Sequence, residues 1–281
     1  MSEFVFSVDK NLNGYTAHDF LEKNGVSKEI IKKVKFGGVF LNGETLSNLK
    51  TKVYEFDQVK ILLTEQPNPF ITPIKADLTV LYEDEYILAV DKPSGINIHA
   101  SKSGAPSFDR IVLGYLLGKV KVFRAITRLD RDTSGVVLIA KNEFTASLLS
   151  NAIKQGDFKK TYLAVVKGKV NKNSFTIEKP IKRKSENSME RVTADDGKYA
   201  KTIFTFTKSL SGGLSLIKAE PITGRTHQIR VHLKSANLPL YADALYGERV
   251  EGKTFALNAK ELEFTHPHTK KRIKVISKIE L

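Results

Sequence analysis

Arg128-Leu129-Asp130-Arg131-Asp132-Thr133-Ser134-Gly135 runs directly into an unbroken apolar segment, Val136-Val137-Leu138-Ile139-Ala140. An apolar run with no polar alternation predicts a strand buried on both faces, inside a sheet. The polar stretch before it would then sit at the rim of that sheet. Asp, Thr, Ser and Gly favour turns for backbone reasons alone, so the stretch by itself identifies no chemistry.

Two further segments give it company. Lys160-Thr161-Tyr162-Leu163-Ala164-Val165-Val166-Lys167-Gly168 reads as a strand with Tyr162 and basic residues at its mouth. Gly224-Arg225-Thr226-His227-Gln228-Ile229-Arg230-Val231-His232 reads as a tight entry into a helix, whose first N–H groups are open to an anion. His227 and Arg230, three apart, would share a face and clamp a phosphate or a carboxylate. Around these segments, Val80-Leu81-Tyr82 and Ile87 to Val90 flank the acidic turn Glu83-Asp84-Glu85, and Ile203 to Phe206 alternates. Phe144, Leu148, Leu149 and Ile153 have helical spacing, closed by Gly156. The expected class is α+β, a large mixed and mainly antiparallel sheet flanked by helices and loops.

Pro67-Asn68-Pro69 and Pro73 interrupt regular structure, so residues 67–77 read as a linker between a small unit, 1–66, and a larger one, 78–281. In the small unit, Ala17, Phe20 and Leu21 mark one helix face. Ser27 can cap a second helix that turns Ile30, Ile31 and Val34 inward and sets Lys28, Lys32 and Lys35 on a shared flank. Asn42-Gly43 is a tight-turn signal after Val39-Phe40-Leu41, and Val53 to Leu63 supplies at least one more strand. This arrangement resembles the alpha-L RNA-binding domain, which implies that those three lysines contact RNA.

The charge agrees with a polyanionic partner. Among 281 residues, 45 Lys and Arg face 31 Asp and Glu, a net +14. Residues 1–70 carry nine lysines and nine carboxylates, so the whole excess lies beyond them. Cysteine is absent, which excludes disulfides, thiolate metal sites and cysteine nucleophiles. His227 and His232 are off a helical ligand spacing, and His266-Pro267-His268 has no acidic pair beside it in sequence, so no metal is expected. No run approaches the ~18 apolar residues of a membrane span, and the start lacks the pattern of a signal peptide. A cytoplasmic protein with no membrane contact and no obligate protein partner is the expectation.

The three central segments together, with Asp91-Lys92-Pro93-Ser94-Gly95, Leu240-Tyr241-Ala242-Asp243 and Leu245-Tyr246-Gly247, resemble the RluA family of pseudouridine synthases over about residues 78–270. The resemblance implies Asp130 as the catalytic aspartate and Tyr162 as the tyrosine that stacks on the target base and acts as a base. It implies Arg230 as the arginine paired with Asp130. It places Arg128 beside a flipped nucleotide, with Thr127, Arg225 and His227 as further RNA contacts. Lys182 and Arg183, in the basic stretch 179–191, would grip the backbone. Thr127 and Asn258 stand where many members have histidine.

The implied reaction detaches uracil from ribose, turns it and rejoins it through carbon 5. It involves neither redox nor phosphoryl transfer, so no cofactor is expected. A carboxylate suits it, attacking the sugar or steering the broken intermediate. Ribosomal large-subunit RNA is the preferred substrate, with transfer RNA as the alternative. A non-catalytic RNA-binding or ribosome-assembly protein needs only charge and shape. A glycoside hydrolase using Asp130 and Asp132 would need the turn to splay two carboxylates that are nearly adjacent in sequence.

Overall fold

A computed structural model describes residues 2–100 and 105–281. The first part of the chain builds a four-stranded antiparallel sheet in the order β1-β4-β2-β3, from Ser2–Ser7 (β1), Val39–Leu41 (β2), Glu44–Thr45 (β3) and Gln58–Leu63 (β4). Helices Ala17–Lys23 (α1) and Lys28–Val34 (α2) cover it. Thr16 and Ser27 cap them, each accepting the N–H three residues on, as the hydroxyl of an N-cap should. Asn42 and Gly43 both take positive φ, so the β2–β3 hairpin closes with the turn that matches strand twist. The expected strand over Val53 to Leu63 is shorter than its apolar content implies. Phe56 has φ of 74°, and Asp57 accepts the Tyr54 N–H, so the chain turns there before β4 begins.

The second part is a nine-stranded sheet, with helices Phe108–Tyr115 (α3), Glu143–Lys154 (α4) and Gln228–Ser235 (α5) packed around it. Its strands are Thr79–Glu83 (β5), Ile87–Lys92 (β6), Ser134–Ala140 (β7), Lys159–Lys167 (β8), Ser174–Glu178 (β9), Lys201–Leu210 (β12), Leu214–Pro221 (β13), Leu257–Thr265 (β14) and Arg272–Ile276 (β15). They run in the order β5-β6-β7-β14-β8-β13-β12-β9, with β15 on β14. Ile181–Arg183 (β10) and Arg191–Thr193 (β11) form a separate hairpin. Every pairing in the large sheet is antiparallel except β7 with β14. The mixed, mainly antiparallel sheet of an α+β fold is therefore present, and all of β7 is buried, as its uninterrupted apolar run requires.

The parallel seam lies just after the polar turn. Ser134 and Gly135 pair with Asn258 and Ala259, and Asn258 Nδ2 donates to Ser134 Oγ at 3.0 Å. Asn258, at the position where the family often has histidine, is thus a buried strut. Gly135 has φ of 110°, and a Cβ there would stand 2.4 Å from the Ala259 carbonyl oxygen.

The small and large sheets share packing. Phe144 of α4 lies edge-on to Phe4 and Phe6, at 4.9 and 5.5 Å between ring centroids, and belongs to the core under the small sheet. Lys33 pairs with Glu143, and Arg124 with Glu65 at 3.0 Å. Residues 67–77 form no helix or strand; they follow α3, where the Ile74 N–H donates to the Arg110 carbonyl and Arg110 Nε to the Thr72 carbonyl. The His-Pro-His turn packs on the β5–β6 turn, with His266 Nε2 2.9 Å from Asp84, a carboxylate that the sequence separates by 182 positions.

Gly135→Ala should therefore destabilise the fold by more than about 2 kcal/mol, from backbone strain and overlap with β14. Urea denaturation checks this; a change within about 0.5 kcal/mol would show that the seam yields.

Candidate active site

The turn Arg128–Thr133 is pinned from below by the segment that ends β6. Lys92 is fully buried, and its ammonium donates to the carbonyls of Pro93, Ile96 and Arg131 at 2.8, 3.0 and 2.8 Å. Three donors meet three acceptors, so no charge-bearing N–H is stranded. Ser94 Oγ donates to the Asp132 carbonyl, and the Gly95 N–H to the Arg131 carbonyl at 3.0 Å. Burial pushes the Lys92 ammonium down to about 8, against the pull of Asp132 and Asp130.

This scaffold offers Asp130 to the rim with its side chain 30% exposed. Arg230 Nη1, from α5, donates to Asp130 Oδ2 at 3.1 Å. The rest of the guanidinium is occupied: Nε and Nη2 donate to Asp243 at 2.8 and 2.9 Å, in a two-pronged pair. Asp243 is fully buried and also accepts the N–H groups of Leu245 and Tyr246. The rings of Tyr246 and Phe255 lie 4.8 and 4.3 Å from the guanidinium carbon. Burial works against the charge of Arg230, but Asp243 first and then Asp130 outweigh it and hold the group protonated.

Tyr162, on β8, packs against the core under β13 and α5. Burial first, and the charge of Asp130 second, push its phenol up, well above the ordinary tyrosine range. The phenol therefore rests protonated.

The other expected residues separate into those at the site and those outside it. Arg128 is exposed next to Asp130 in the same turn. Thr127 is buried, and its Oγ1 accepts the Leu138 N–H at 2.9 Å, so it braces the turn against β7. His227 comes inward, with Nε2 3.8 Å from Asp130 Oδ2. The anion cradle expected at the helix start is partly filled from within. Gln228 Oε1 accepts the Arg225 N–H and the Thr223 hydroxyl, and the Gln228 N–H goes to the Arg225 carbonyl. Arg225 is exposed and anchored by Nε to the Tyr199 carbonyl. The basic stretch 179–191 is the β10–β11 hairpin, where Lys182 already pairs with Asp196 at 2.8 Å and Arg183 donates to the Glu186 carbonyl. Lys28, Lys32 and Lys35 line one groove on the small sheet's helix side, with His18, Ile31 and the exposed ring of Phe36.

Three residues that matter here carried no role in the sequence reading: Lys92, Asp243 and Tyr246. For Lys92 and Asp243 the signal was present as a charge inside an apolar context, Val90-Asp91-Lys92-Pro93 and Leu240-Tyr241-Ala242-Asp243. A buried charge needs a partner, and the Arg131 carbonyl that Lys92 reaches and the guanidinium that Asp243 meets lie 39 and 13 positions away. The arrangement as a whole is a partly exposed carboxylate, fixed by a buried cation and within electrostatic reach of a buried phenol. It suits attack on, or stabilisation of, an electron-deficient carbon beside a flat ring.

Comparison with known proteins gives consistent results. The family model described as RNA pseudouridylate synthase matches residues 86–235. The chain is 35% identical over 266 residues to the uncharacterized RNA pseudouridine synthase YjbO of Bacillus subtilis (strain 168), covering 92% of this chain and 93% of that one. It is 30% identical over 296 aligned positions to the ribosomal large subunit pseudouridine synthase C of Haemophilus ducreyi (strain 35000HP / ATCC 700724), covering 98% and 92%. Among solved structures, human RNA pseudouridylate synthase domain containing 1 superposes with a TM-score of 0.59 at 26% identity, covering 71% of this chain and 82% of that one.

The buried lysine yields a pH test. An exposed lysine in the unfolded chain titrates near ~10.4, while Lys92 in the fold titrates at about 8. Between those values the unfolded state holds the proton and the folded state releases it, so this group's contribution to stability rises with pH. Relative to Lys92→Met, the wild type should gain up to ~1.4 kcal/mol per pH unit across that window. Parallel stability curves from pH 7.5 to 10 would contradict the buried ammonium.

Proposed function

The chain belongs to the RNA pseudouridylate synthase family and isomerises uridine in RNA; from that premise we propose that Asp130, Tyr162 and Arg230 do the chemistry, and that large-subunit ribosomal RNA is the substrate. The observation that carries the site is the Asp130 carboxylate, held at 3.1 Å by a guanidinium that is itself locked to a buried Asp243.

In the reaction the bond from ribose C1′ to uracil N1 breaks and a bond from C1′ to C5 forms. The hydrogen on C5 leaves, and N1 ends with a proton. Asp130 supplies a negative oxygen to C1′ as the base departs, by bonding to it or by matching its charge. Arg230 Nη1, donating to Oδ2, holds that carboxylate aimed. Tyr162 lays its ring against the uracil; its phenol lends a proton to N1 of the departing base, and the phenolate so formed takes the C5 proton after the C1′–C5 bond has closed. No step calls for a cofactor.

The target uridine must leave its stack to reach Asp130, at a cost of a few kcal/mol, roughly, which contacts to the RNA backbone offset. Arg128 at the mouth, with Arg225, Lys182 and Arg183 on the surrounding surface, serves that grip. The lysine groove of Lys28, Lys32 and Lys35 extends it onto a separate RNA segment and matches the alpha-L resemblance of residues 1–66. Ribosomal RNA is favoured over transfer RNA by that appended unit and by the substrate in the Haemophilus relative's name. A protein acting on such RNA would work in the cytoplasm.

Asp130→Asn keeps size and turn geometry but removes the charge. It should abolish tritium release from C5-labelled uridine in RNA, while filter binding shows affinity unchanged or slightly tighter. Asp132→Asn, whose carbonyl rather than carboxylate holds the turn, should stay within about tenfold of wild type. Tritium release by the Asp130 variant at the wild-type rate would overturn the assignment.

A further inference from the structure

His227 brings a second polar side chain to Asp130 beside Arg230, and both its backbone and its ring are constrained. It stands at the start of α5 with φ of 57°, in the left-handed region, where a residue other than glycine or asparagine needs a reason. Its side chain is only 12% exposed. Nδ1 lies 2.8 Å from the Tyr246 hydroxyl, and that hydroxyl accepts the Arg191 N–H, also at 2.8 Å. Tyr246 is buried, so its own proton must go to a protein acceptor, and Nδ1 is the one in reach. The opposite tautomer would leave a buried O–H unpaired and turn the Nε2 lone pair onto a carboxylate. Nε2 therefore carries the ring hydrogen and presents it to Asp130 Oδ2.

We propose that His227 is a positioning residue, held by Tyr246 as the Nε2–H tautomer so that it directs Asp130 Oδ2 alongside Arg230. The proposal rests on the reading of Asp130 as the reacting carboxylate. At 3.8 Å the contact is longer than a hydrogen bond and within the range at which a ring N–H still orients a carboxylate by its partial charge; on this proposal it shortens to a hydrogen bond in the complex with RNA. The groups facing the imidazole are Asp130 in the turn, Arg230 on α5, Arg191 on β11, and Asp243 and Tyr246 in the segment after α5. Burial is the largest influence and lowers the imidazole; Arg230 and Arg191 add to it against Asp130 and Asp243, so the ring is neutral. A neutral donor suits the task. It orients the carboxylate and leaves its charge for the sugar, where a second cation would neutralise it.

Two substitutions separate this role from a backbone role. The amide nitrogen of glutamine reaches about as far as imidazole Nε2, whereas that of asparagine reaches only as far as Nδ1. Asparagine is the better residue for a left-handed backbone. A donor role therefore favours His227→Gln, and a purely structural role favours His227→Asn. In the full chain, with RNA at saturation, His227→Gln should keep kcat within about tenfold of wild type and His227→Asn should lose at least about a hundredfold, with KM similar in both. Equal rates, or a faster asparagine variant, overturn the proposal. Nitrogen-15 spectra of the wild-type histidines test it without any substitution: the proton must sit on Nε2 of His227, and an Nδ1 proton overturns it. Asp130→Asn separates the two failures. If that variant turns over, the reading of the site falls; if it is inactive while the His227 variants match each other, only the role of His227 falls.

Discussion

The guanidinium of Arg230 lies against the rings of Tyr246 and Phe255, with Asp243 on two of its nitrogens and Asp130 on the third. A buried arginine with one partner would be a closed ion pair, balanced and inert. Here one cation meets two carboxylates, one sealed in the core and one at the rim. The sealed carboxylate makes burial of the cation tolerable, since desolvating either alone costs several kcal/mol, roughly. The rim carboxylate then has a fixed partner without being neutralised by it. That asymmetry leaves a negative oxygen open to substrate in a protein whose net charge of +14 draws in RNA.

The position of Asp130 also depends on the sheet beneath it. Its turn enters β7, the strand buried on both faces, through the parallel seam at Ser134 and Gly135. On the other side, Lys92 gathers three carbonyls from the end of β6 and the turn, so β6, the turn and β7 move as one body. A loop held by backbone contacts of this kind keeps its side chain aimed at little entropic cost when substrate arrives.

Local periodicity made most of the large sheet and its helices legible. The uninterrupted run into Ala140 marked β7, and the 3.6-residue spacing from Phe144 to Ile153 marked α4. Strand β1 escaped notice because Phe4, Val5 and Phe6 are all apolar, although Val5 faces outward at 51% exposure and hides the alternation. Asp130, Tyr162 and Arg230 stood out as candidates because they sit in distinctive motifs. The residues that hold them were not, because holding is a long-range property. Lys92 meets a carbonyl 39 positions away, and the Asn258 amide meets a hydroxyl 124 positions away. Thr127 shows the converse. Its place in a motif pointed to RNA, but its hydroxyl is committed to the backbone of β7. Phe144 shows it again at the boundary of the two sheets, where a residue of α4 completes the core of the small one.

The claim that one planar cation must serve two carboxylates is tested most directly by Arg230→Lys. Lysine keeps the charge, but its single ammonium lacks the planar fork that grips Asp243 with two nitrogens and gives a third to Asp130. Circular dichroism and RNA affinity should match wild type, while single-turnover isomerisation of a stem-loop RNA should fall by at least about a hundredfold. A folded lysine variant that turns over at the wild-type rate would show that charge alone suffices and that the bridging geometry does not set the reactivity of Asp130.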